Sequence, residues 1–271
     1  MSIFTPFTFI APEVASITPG PSATVTTRGL VSYYDPNDGI SYPGSGSTVY
    51  DLQGTNDLTI SGPAAFVDSG SYKFFSFPST DQNAIIARGQ ALGTVTGVPQ
   101  SASSISWGTW ANFESPGGIY FQTIPFAVGN SGNFNGKGGS NFTYLNPADK
   151  IIFEFGSGWD AQICQMPETA SAGTWFHIMV TSENVGGLNR NLSVYVNGSA
   201  VTSSVAISSG LIDARNNGPW IQMGGLGNGY VLTDAAYQFH GGVGPSYIYN
   251  TALSSSEVLD NFNADKAKYG Y

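Results

Sequence analysis

Charged side chains and cysteine are scarce in this chain of 271 residues. Charged residues make up 10% of the sequence, whereas an ordinary globular protein has about a quarter. The 9 basic residues are outnumbered by 18 acidic ones, which gives a net charge of −9. A nucleic-acid-binding surface is therefore not expected, because few cations are present to replace counterions on phosphates. The single cysteine, Cys164, excludes an intrachain disulfide.

Long hydrophobic runs are also missing. No stretch approaches the roughly 18 to 20 apolar residues that a membrane-spanning helix needs, so we expect no membrane insertion. The amino-terminal segment MSIFTPFTFIAPEV has no positive charge before its apolar residues and is interrupted by Pro6 and Pro12. It does not resemble a secretory signal. From the sequence we expect synthesis in a cytoplasm without export by the classical route.

The chain contains instead many short runs rich in β-branched and aromatic residues, each bounded by Gly, Asn, Ser or Pro. These runs cover residues 29–35, 72–77, 83–88, 104–113, 117–124, 150–156, 175–181, 192–198, 220–225 and 244–250. Ten strands of this kind predict an all-β fold, a jelly-roll sandwich of two antiparallel sheets.

One hairpin is especially clear in WFHIMVTSENVGGLNRNLSVYVNGSAV, residues 175–201. Alternation places Phe176, Ile178 and Val180 on one face of the first strand, where they can contribute to a core. The pair Asn197-Gly198 is the strongest short signal for a type I′ turn. We therefore interpret this stretch as scaffold and not as a ligand site.

The carboxyl-terminal segment 253–270 breaks the strand pattern and predicts a short helix. Ser254 and Glu257 have the three-residue spacing of a capping box. Leu253 and Val258 are placed to form the accompanying hydrophobic contact at the start of the helix.

Residues 1–28 differ from the rest and predict an extended arm ahead of a domain spanning 29–271. Four prolines punctuate the arm, and proline fixes φ and removes a hydrogen-bond donor. Its apolar side chains either pack along the edge of the domain's own sheet or contact a neighbouring subunit. The candidate subunit contacts are Phe4, Phe7, Phe9 and Ile10.

A Trp-x-His-x-x-Val-Thr strand followed by a Leu-x-Val-Tyr-Val-Asn-Gly strand resembles the concanavalin A-like, laminin G-like jelly-roll family. Residues 29–57 and 74–87 look like its opening segments, and 221–225 and 241–270 look like its closing strands and terminal helix. The resemblance covers 29–271. The opening and closing segments are particularly similar to versions in structural proteins of tailed phages and other large DNA viruses.

This resemblance implies a non-enzymatic virion structural protein, such as a capsid decoration, minor capsid or fibre subunit. The expected partners are other virion or capsid subunits, and a homo-oligomer is expected, assembled in the host cytoplasm. The alternative is a carbohydrate-binding module that recognises cell-surface glycans, extracellular or at a cell surface. A virion surface lectin would be both.

The family also contains glucanases, whose retaining members use two carboxylates about 5 Å apart. The sequence has no Glu-x-Asp-x-x-Glu string, and a Gly-Ser-Gly break separates Glu154 from Asp160. We interpret His177 and His240 as partly buried or edge histidines and Cys164 as a packed thiol. We therefore expect no catalytic site.

Two kinds of ligand site remain open in the sequence, and neither requires a cofactor other than calcium. Asp35, Asn37 and Asp38 supply oxygens for a possible Ca²⁺ ion, which needs six to eight, but the same residues suit a simple turn. The candidate carbohydrate contacts lie in or beside loops and are Trp159, Asp160, Trp220, Asn228 and Tyr230. The other tryptophans lie in predicted strands and are expected in the core: Trp107, Trp110 and Trp175.

Overall fold

The structure is a computed structural model that describes part of the chain. The described residues are 24–61, 64–77, 90–94, 104–114, 126–129, 139–145, 150–157, 162–169, 173–186, 189–201, 205–207, 220–224 and 239–271. In chain order their elements are β1 (Leu30–Tyr34), β2 (Thr48–Val49), β3 (Leu58–Ser61), β4 (Ala65–Asp68), β5 (Lys73–Phe77), β6 (Gln90–Thr94), β7 (Ile105–Phe113), β8 (Phe126–Gly129), β9 (Gly139–Leu145), β10 (Lys150–Ser157), β11 (Gln162–Thr169), β12 (Trp175–Gly186), β13 (Asn189–Val196), β14 (Ser199–Ala200), β15 (Val205–Ile207), β16 (Trp220–Met223), β17 (Gly241–Tyr249) and α1 (Ser255–Asp265).

The strands form two antiparallel sheets, which we name sheet A and sheet B. Sheet A has the order β14-β13-β12-β7-β17-β5-β4, with β1 added to β17 and β15 added to β13. Sheet B has the order β11-β10-β9-β8-β16-β6-β3-β2. Strands distant in sequence are neighbours in both sheets, as in a jelly roll. The predicted all-β sandwich with one short carboxyl-terminal helix is confirmed.

The main core fills the space between the two sheets. Alternate residues of β12 point into it, and Phe176, Ile178 and Val180 are all buried there, as predicted. The matching residues of β13 and the large Trp107 of β7 join the same cluster. Burying apolar surface of this extent is the main driving force for closing the sandwich.

The hairpin after β13 turns as its sequence predicts. Asn197 has φ 51° and Gly198 has φ 76°, which are the two positive angles of a type I′ turn. The Asn197 side chain also accepts a hydrogen bond from the backbone of His177 at 3.0 Å and donates one to the hydroxyl of Tyr271 at 3.0 Å. The turn therefore connects strand β12, β13 and the carboxyl terminus.

Helix α1 begins with the predicted capping box but ends earlier than predicted. Ser254 and Glu257 exchange both bonds of the box. The helix ends at Asp265 instead of near residue 270, because Lys268 N bonds to Asp265 O at 2.8 Å and Tyr271 N bonds to Lys266 O at 2.9 Å. These bonds turn the last residues back onto sheet A.

Sheet A is covered on its outer face as well, because α1 and the residues after it pack there. Met179, Tyr195, Tyr249 and Val258 belong to one buried cluster beneath the helix. Gly108 lies under the same layer: a Cβ at this position would lie 2.6 Å from both the carbonyl oxygen of Ile178 and the sulfur of Met179. The close approach of β7 to β12 beneath the helix layer thus depends on a glycine.

We expect Gly108→Ala to lower the free energy of unfolding by about 1–3 kcal/mol, the usual cost of overpacking a well-packed interior. The matched control is Gly39→Ala, since a Cβ at Gly39 would meet no heavy atom of the described residues within 4 Å. Urea denaturation monitored by tryptophan fluorescence measures both variants. Equal stability of the two variants would contradict the packing described for sheet A.

Candidate functional site

Residues Thr24–Arg28, here called the arm base, lie against helix α1. The backbone N–H of Thr26 donates to the Asn261 side chain at 2.8 Å, and its hydroxyl donates to the carbonyl of Glu257 at 3.1 Å. Val25 packs against the buried cluster that contains Val258. The described end of the predicted arm is therefore part of the folded domain and is held by the helix.

A bidentate ion pair between Arg28 and Glu257 adds to this attachment. The Arg28 Nε and Nη2 atoms donate to the two carboxylate oxygens at 2.5 and 2.7 Å. The same guanidinium donates to Thr251 and to the carbonyl of Ala252, so most of its donors are used. The hydrogen bonds from Arg28, followed by those from Ser254, lower the pKa of Glu257 to about 2. One carboxylate thus caps the helix and binds the arm base.

The candidate calcium residues form a turn whose polar atoms bond mainly to other protein groups. The Asp35 carboxylate accepts hydrogen bonds from the backbone and side chain of Asn37, both at 2.8 Å, and from Tyr33 at 3.1 Å. Asp38 accepts from the backbone of Ile40 at 2.7 Å. The Asn37 oxygen accepts from the backbone of Lys73 at 2.7 Å, which ties the turn to β5. This geometry fits the turn interpretation of these residues, and calcium binding there stays a prediction.

Asp51 is a structural carboxylate that the sequence analysis did not single out. Its side chain is 4% exposed and accepts hydrogen bonds from the backbone N–H groups of Tyr33, Gln53 and Asn56 at 2.9, 3.0 and 3.1 Å. The two-residue spacing between Asp51 and Gln53 is typical of an Asx turn, and Asn56 lies three residues further along the same loop. The bond to Tyr33 across 18 residues is not visible in the sequence.

A second buried carboxylate, Asp265, lies at the end of α1. It is 3% exposed, and burial raises its pKa. Lys268 forms an ion pair with it at 2.6 Å, and the hydroxyl of Tyr247 donates to it at 3.3 Å. A lysine ammonium therefore provides the counter-charge, as a buried carboxylate requires.

Aromatic rings pack beneath α1 and the last residues of the chain. Trp110 stacks on Tyr269 with ring centroids 4.6 Å apart and on Phe262 at 5.6 Å. Trp175 contacts Tyr269 at 4.7 Å. Trp107 lies in the core between the sheets, whereas Trp110 and Trp175 are buried on the outer face of sheet A.

His177 lies in the centre of this outer face. Its ring is 5.3 Å from Trp110 and 6.0 Å from both Tyr247 and Phe262, measured between centroids. The side chain has an exposed fraction of 0%, which is deeper than the partly buried or edge position suggested by the sequence. Burial lowers its pKa to about 3, so the ring is neutral near pH 7.

The candidate carbohydrate contacts fall largely outside the described residues, and so do the candidate subunit contacts. Of the first group, Trp220 is described in its backbone and begins β16, where it pairs with Thr94 and Gly129. The other four candidate carbohydrate contacts lie outside the described residues: Trp159, Asp160, Asn228 and Tyr230. All four candidate subunit contacts also lie outside them: Phe4, Phe7, Phe9 and Ile10.

No group of three or more His, Cys, Asp or Glu side chains among the described residues is arranged to hold a metal ion. Within the same part of the chain, no helix is both long and apolar enough to cross a membrane. Glu154 lies inside β10, paired with Ile163 and Phe142.

Residues 78–259 match the family model for laminin G-like domains of the concanavalin A-like lectin/glucanases superfamily. The chain belongs to this superfamily. The match covers more than half of the sequence and agrees with the two-sheet topology. A comparison with curated proteins gave no match.

Solved structures with the same fold include two kinds of protein. The binding domain of botulinum neurotoxin DC, in complex with rat synaptotagmin II, is 14% identical with a TM-score of 0.58 and covers 87% of this chain and 51% of its own. Botulinum neurotoxin type C, whose cell entry depends on interaction with two ganglioside molecules, is 13% identical with a TM-score of 0.56 and covers 87% of this chain and 51% of its own. Trypanosoma rangeli sialidase is 18% identical with a TM-score of 0.59 over 97% and 37%.

These identities show a shared fold and nothing more. The chain spans about half the length of the neurotoxin structures and less of the sialidase. The activities of those longer proteins therefore do not transfer to it directly.

Replacing Arg28 by Gln should raise the pKa of Glu257 toward its ordinary value of 4.5, because the largest stabilising contact of the carboxylate is removed. The stability that this carboxylate contributes is present above pH 4.5 in both proteins, and in the variant it is lost at a higher pH as the solution is acidified. Carboxyl carbon NMR titration measures the pKa directly.

The matched control is Lys73→Gln, which removes the longer surface ion pair with Asp68 at 3.3 Å. This control should leave the Glu257 titration unchanged. An unshifted pKa of Glu257 in Arg28→Gln would show that the bidentate pair does not form.

Proposed function

We propose that the chain is a non-enzymatic virion structural protein, built on a lectin-like sandwich and joined to neighbouring subunits by its amino-terminal arm. The observation that carries this proposal is the attachment of the arm base to helix α1. An arm that links subunits must be attached firmly to its own domain at its base. Otherwise the arm could stay bound to the neighbouring subunit while its base detaches from the domain.

The arm base is attached to the domain by several independent contacts. Arg28 and Thr26 bond to Glu257, and Thr26 also bonds to Asn261, so the attachment is spread over two turns of α1. The helix in turn is fixed to sheet A through Val258 and the cluster around it. The apolar residues of the arm, from Phe4 to Ile10, would supply the contact to the neighbour by adding to its surface.

Two buried carboxylates among the described residues support the non-enzymatic part of the proposal. Asp51 holds a loop, and Asp265 is paired with Lys268, so each has a structural partner. A catalytic carboxylate must instead be free to exchange a proton with a substrate in a cleft. Glu257, held well below its ordinary pKa by Arg28, is equally unsuited to act as an acid.

Deleting residues 1–23 should leave a folded domain that no longer assembles with its neighbours. This truncation ends before the arm base, so the contacts of Thr26 and Arg28 stay intact. Sedimentation velocity measures the assembly, and circular dichroism with thermal unfolding confirms that the domain remains folded.

A length-matched variant, with Phe4, Phe7, Phe9 and Ile10 all replaced by Ser, separates the apolar contacts from the mere presence of the arm. Both variants should sediment as the smaller species. An intact chain that is monomeric at all concentrations, or a truncated chain with an unchanged oligomer, would refute the role of the arm.

A second candidate function is carbohydrate binding, extracellular or at a cell surface. It is favoured by the solved structures of similar fold, which include botulinum neurotoxin type C, whose cell entry depends on interaction with two ganglioside molecules. The aromatic and polar residues of the candidate site, with Trp159 and Trp220 as the stacking surfaces, are suited to a sugar ring. Calcium bound by Asp35, Asn37 and Asp38 would be an accessory to this function.

A glycan array probed with the intact chain tests this candidate. We expect binding that falls at least about tenfold in Trp159→Ala or Trp220→Ala, since a lost stacking contact of about 1.4 kcal/mol is a tenfold change in affinity. Repeating the array with a calcium chelator and with Asp38→Asn separates the calcium contribution. Absence of binding by the intact chain would eliminate the candidate.

A further inference from the structure

We propose that His177 makes the attachment of helix α1 and the arm base sensitive to acid. In this role the histidine takes up a proton when the helix lifts from sheet A, and the bound proton opposes closure. The inference goes beyond the proposed function, because it concerns how the arm is held and not what the arm contacts.

The surroundings of His177 accept a neutral ring and exclude a charged one. The side chain is fully buried, and the three rings nearest to it belong to Trp110, Tyr247 and Phe262. Neither ring nitrogen has a hydrogen-bond partner among the described residues. An imidazolium needs two acceptors for its two N–H groups, so protonation in the closed state would leave a charge buried without compensation.

The groups on the elements that cover His177 do not provide that compensation. The titratable and charged groups of these elements are Tyr195 of β13, Tyr247 and Tyr249 of β17, Glu257, Asp260, Asp265 and Lys266 of α1, and Lys268, Tyr269 and Tyr271 of the last turn. Asp265 is engaged by Lys268 and by the Tyr247 hydroxyl. Glu257 is paired with Arg28, and Asp260 is exposed to solvent. The pKa values of Tyr247 and Tyr269 are raised, so both hydroxyls are neutral in acid.

The helix that covers His177 is also the helix that holds the arm base. Phe262 packs over the histidine ring, and the adjacent Asn261 accepts the hydrogen bond from Thr26. One turn earlier, Glu257 binds Arg28. Movement of Phe262 away from sheet A therefore displaces both attachment points of the arm base.

The sign of the effect follows from the two states of His177. In the closed state burial holds its pKa near 3, against an ordinary value of 6.5 when the ring is exposed. The open state therefore binds more protons, and closure is fully stable above pH 6.5 and weakens progressively as the pH falls toward 3. At pH 4.5 the opening equilibrium should be about 100-fold more favourable than at pH 8.

The carboxylates of Glu257 and Asp265 also titrate in acid and therefore bear on the pH dependence of the closed state. The pKa of Glu257 is about 2, so its pair with Arg28 remains intact while His177 responds. The pKa of Asp265 is raised by burial, so its protonation favours the closed state and partly offsets the effect at the acidic end. The response of His177 therefore begins as the pH falls below 6.5.

Hydrogen exchange measured by mass spectrometry on the full chain tests the proposal. After correction for intrinsic exchange rates, protection of residues 255–265 and of the arm base should fall by about 100-fold from pH 7.5 to pH 4.5. Protection of β7 and β12 should fall less. His177→Phe should abolish the response, because the replacement ring cannot take up a proton.

The control is His240→Gln, since His240 is the one other histidine of the chain, and it should keep the full response. Unchanged protection at pH 4.5, an equal loss in all strands, or an unaltered response in His177→Phe would overturn the proposal. NMR titration of the His177 ring in the unmodified chain is independent of any variant: the ring should stay neutral down to about pH 4 while the helix is closed. A ring already protonated at pH 6 would also overturn it.

Discussion

The packing of helix α1 on the outer face of sheet A is the contact on which the rest of the molecule depends. It buries a second aromatic layer, Trp110, Trp175 and Phe262 among its members, in addition to the core between the sheets. The arm base and the last residues are all fixed through this helix. The loop at residues 35–38 is joined to the same layer, because Asn37 donates to the hydroxyl of Tyr269. Three separate segments thus share one point of attachment.

Because the chain has few charged residues, the described part of this attachment contains only two ion pairs. The described ion pairs of the helix layer are Arg28 with Glu257 and Lys268 with Asp265, and each adds a charge-assisted bond at one end of α1. Between them the helix rests on apolar and neutral polar groups. Because a charge introduced into that region would have no counter-ion, the contact tolerates a histidine only in its neutral form.

Much of the sandwich was predictable, since its signals are local. The two-residue alternation identified the core face of β12, and Asn197-Gly198 and the Ser254–Glu257 spacing identified a turn and a helix start. The bond between Arg28 and Glu257 joins residues 229 positions apart, and no local pattern contains it. The place of Trp110 in a predicted strand indicated burial in the core, whereas the residue is buried on the outer face of sheet A, because both sides of that sheet are covered.

The same distinction separates what the fold requires of the sequence from what recognition requires. A jelly roll needs alternating apolar residues and good turns, and sequences that are 13% to 18% identical satisfy both. Recognition depends instead on side chains in loops and arms, whose chemistry the sandwich does not constrain. The arm base lies at the boundary between scaffold and recognition segment. Its contacts with Glu257 and Asn261 belong to the scaffold, and the part of the arm before them is the part whose sequence can change with the partner. A superfamily built this way can change its partner while its core stays the same.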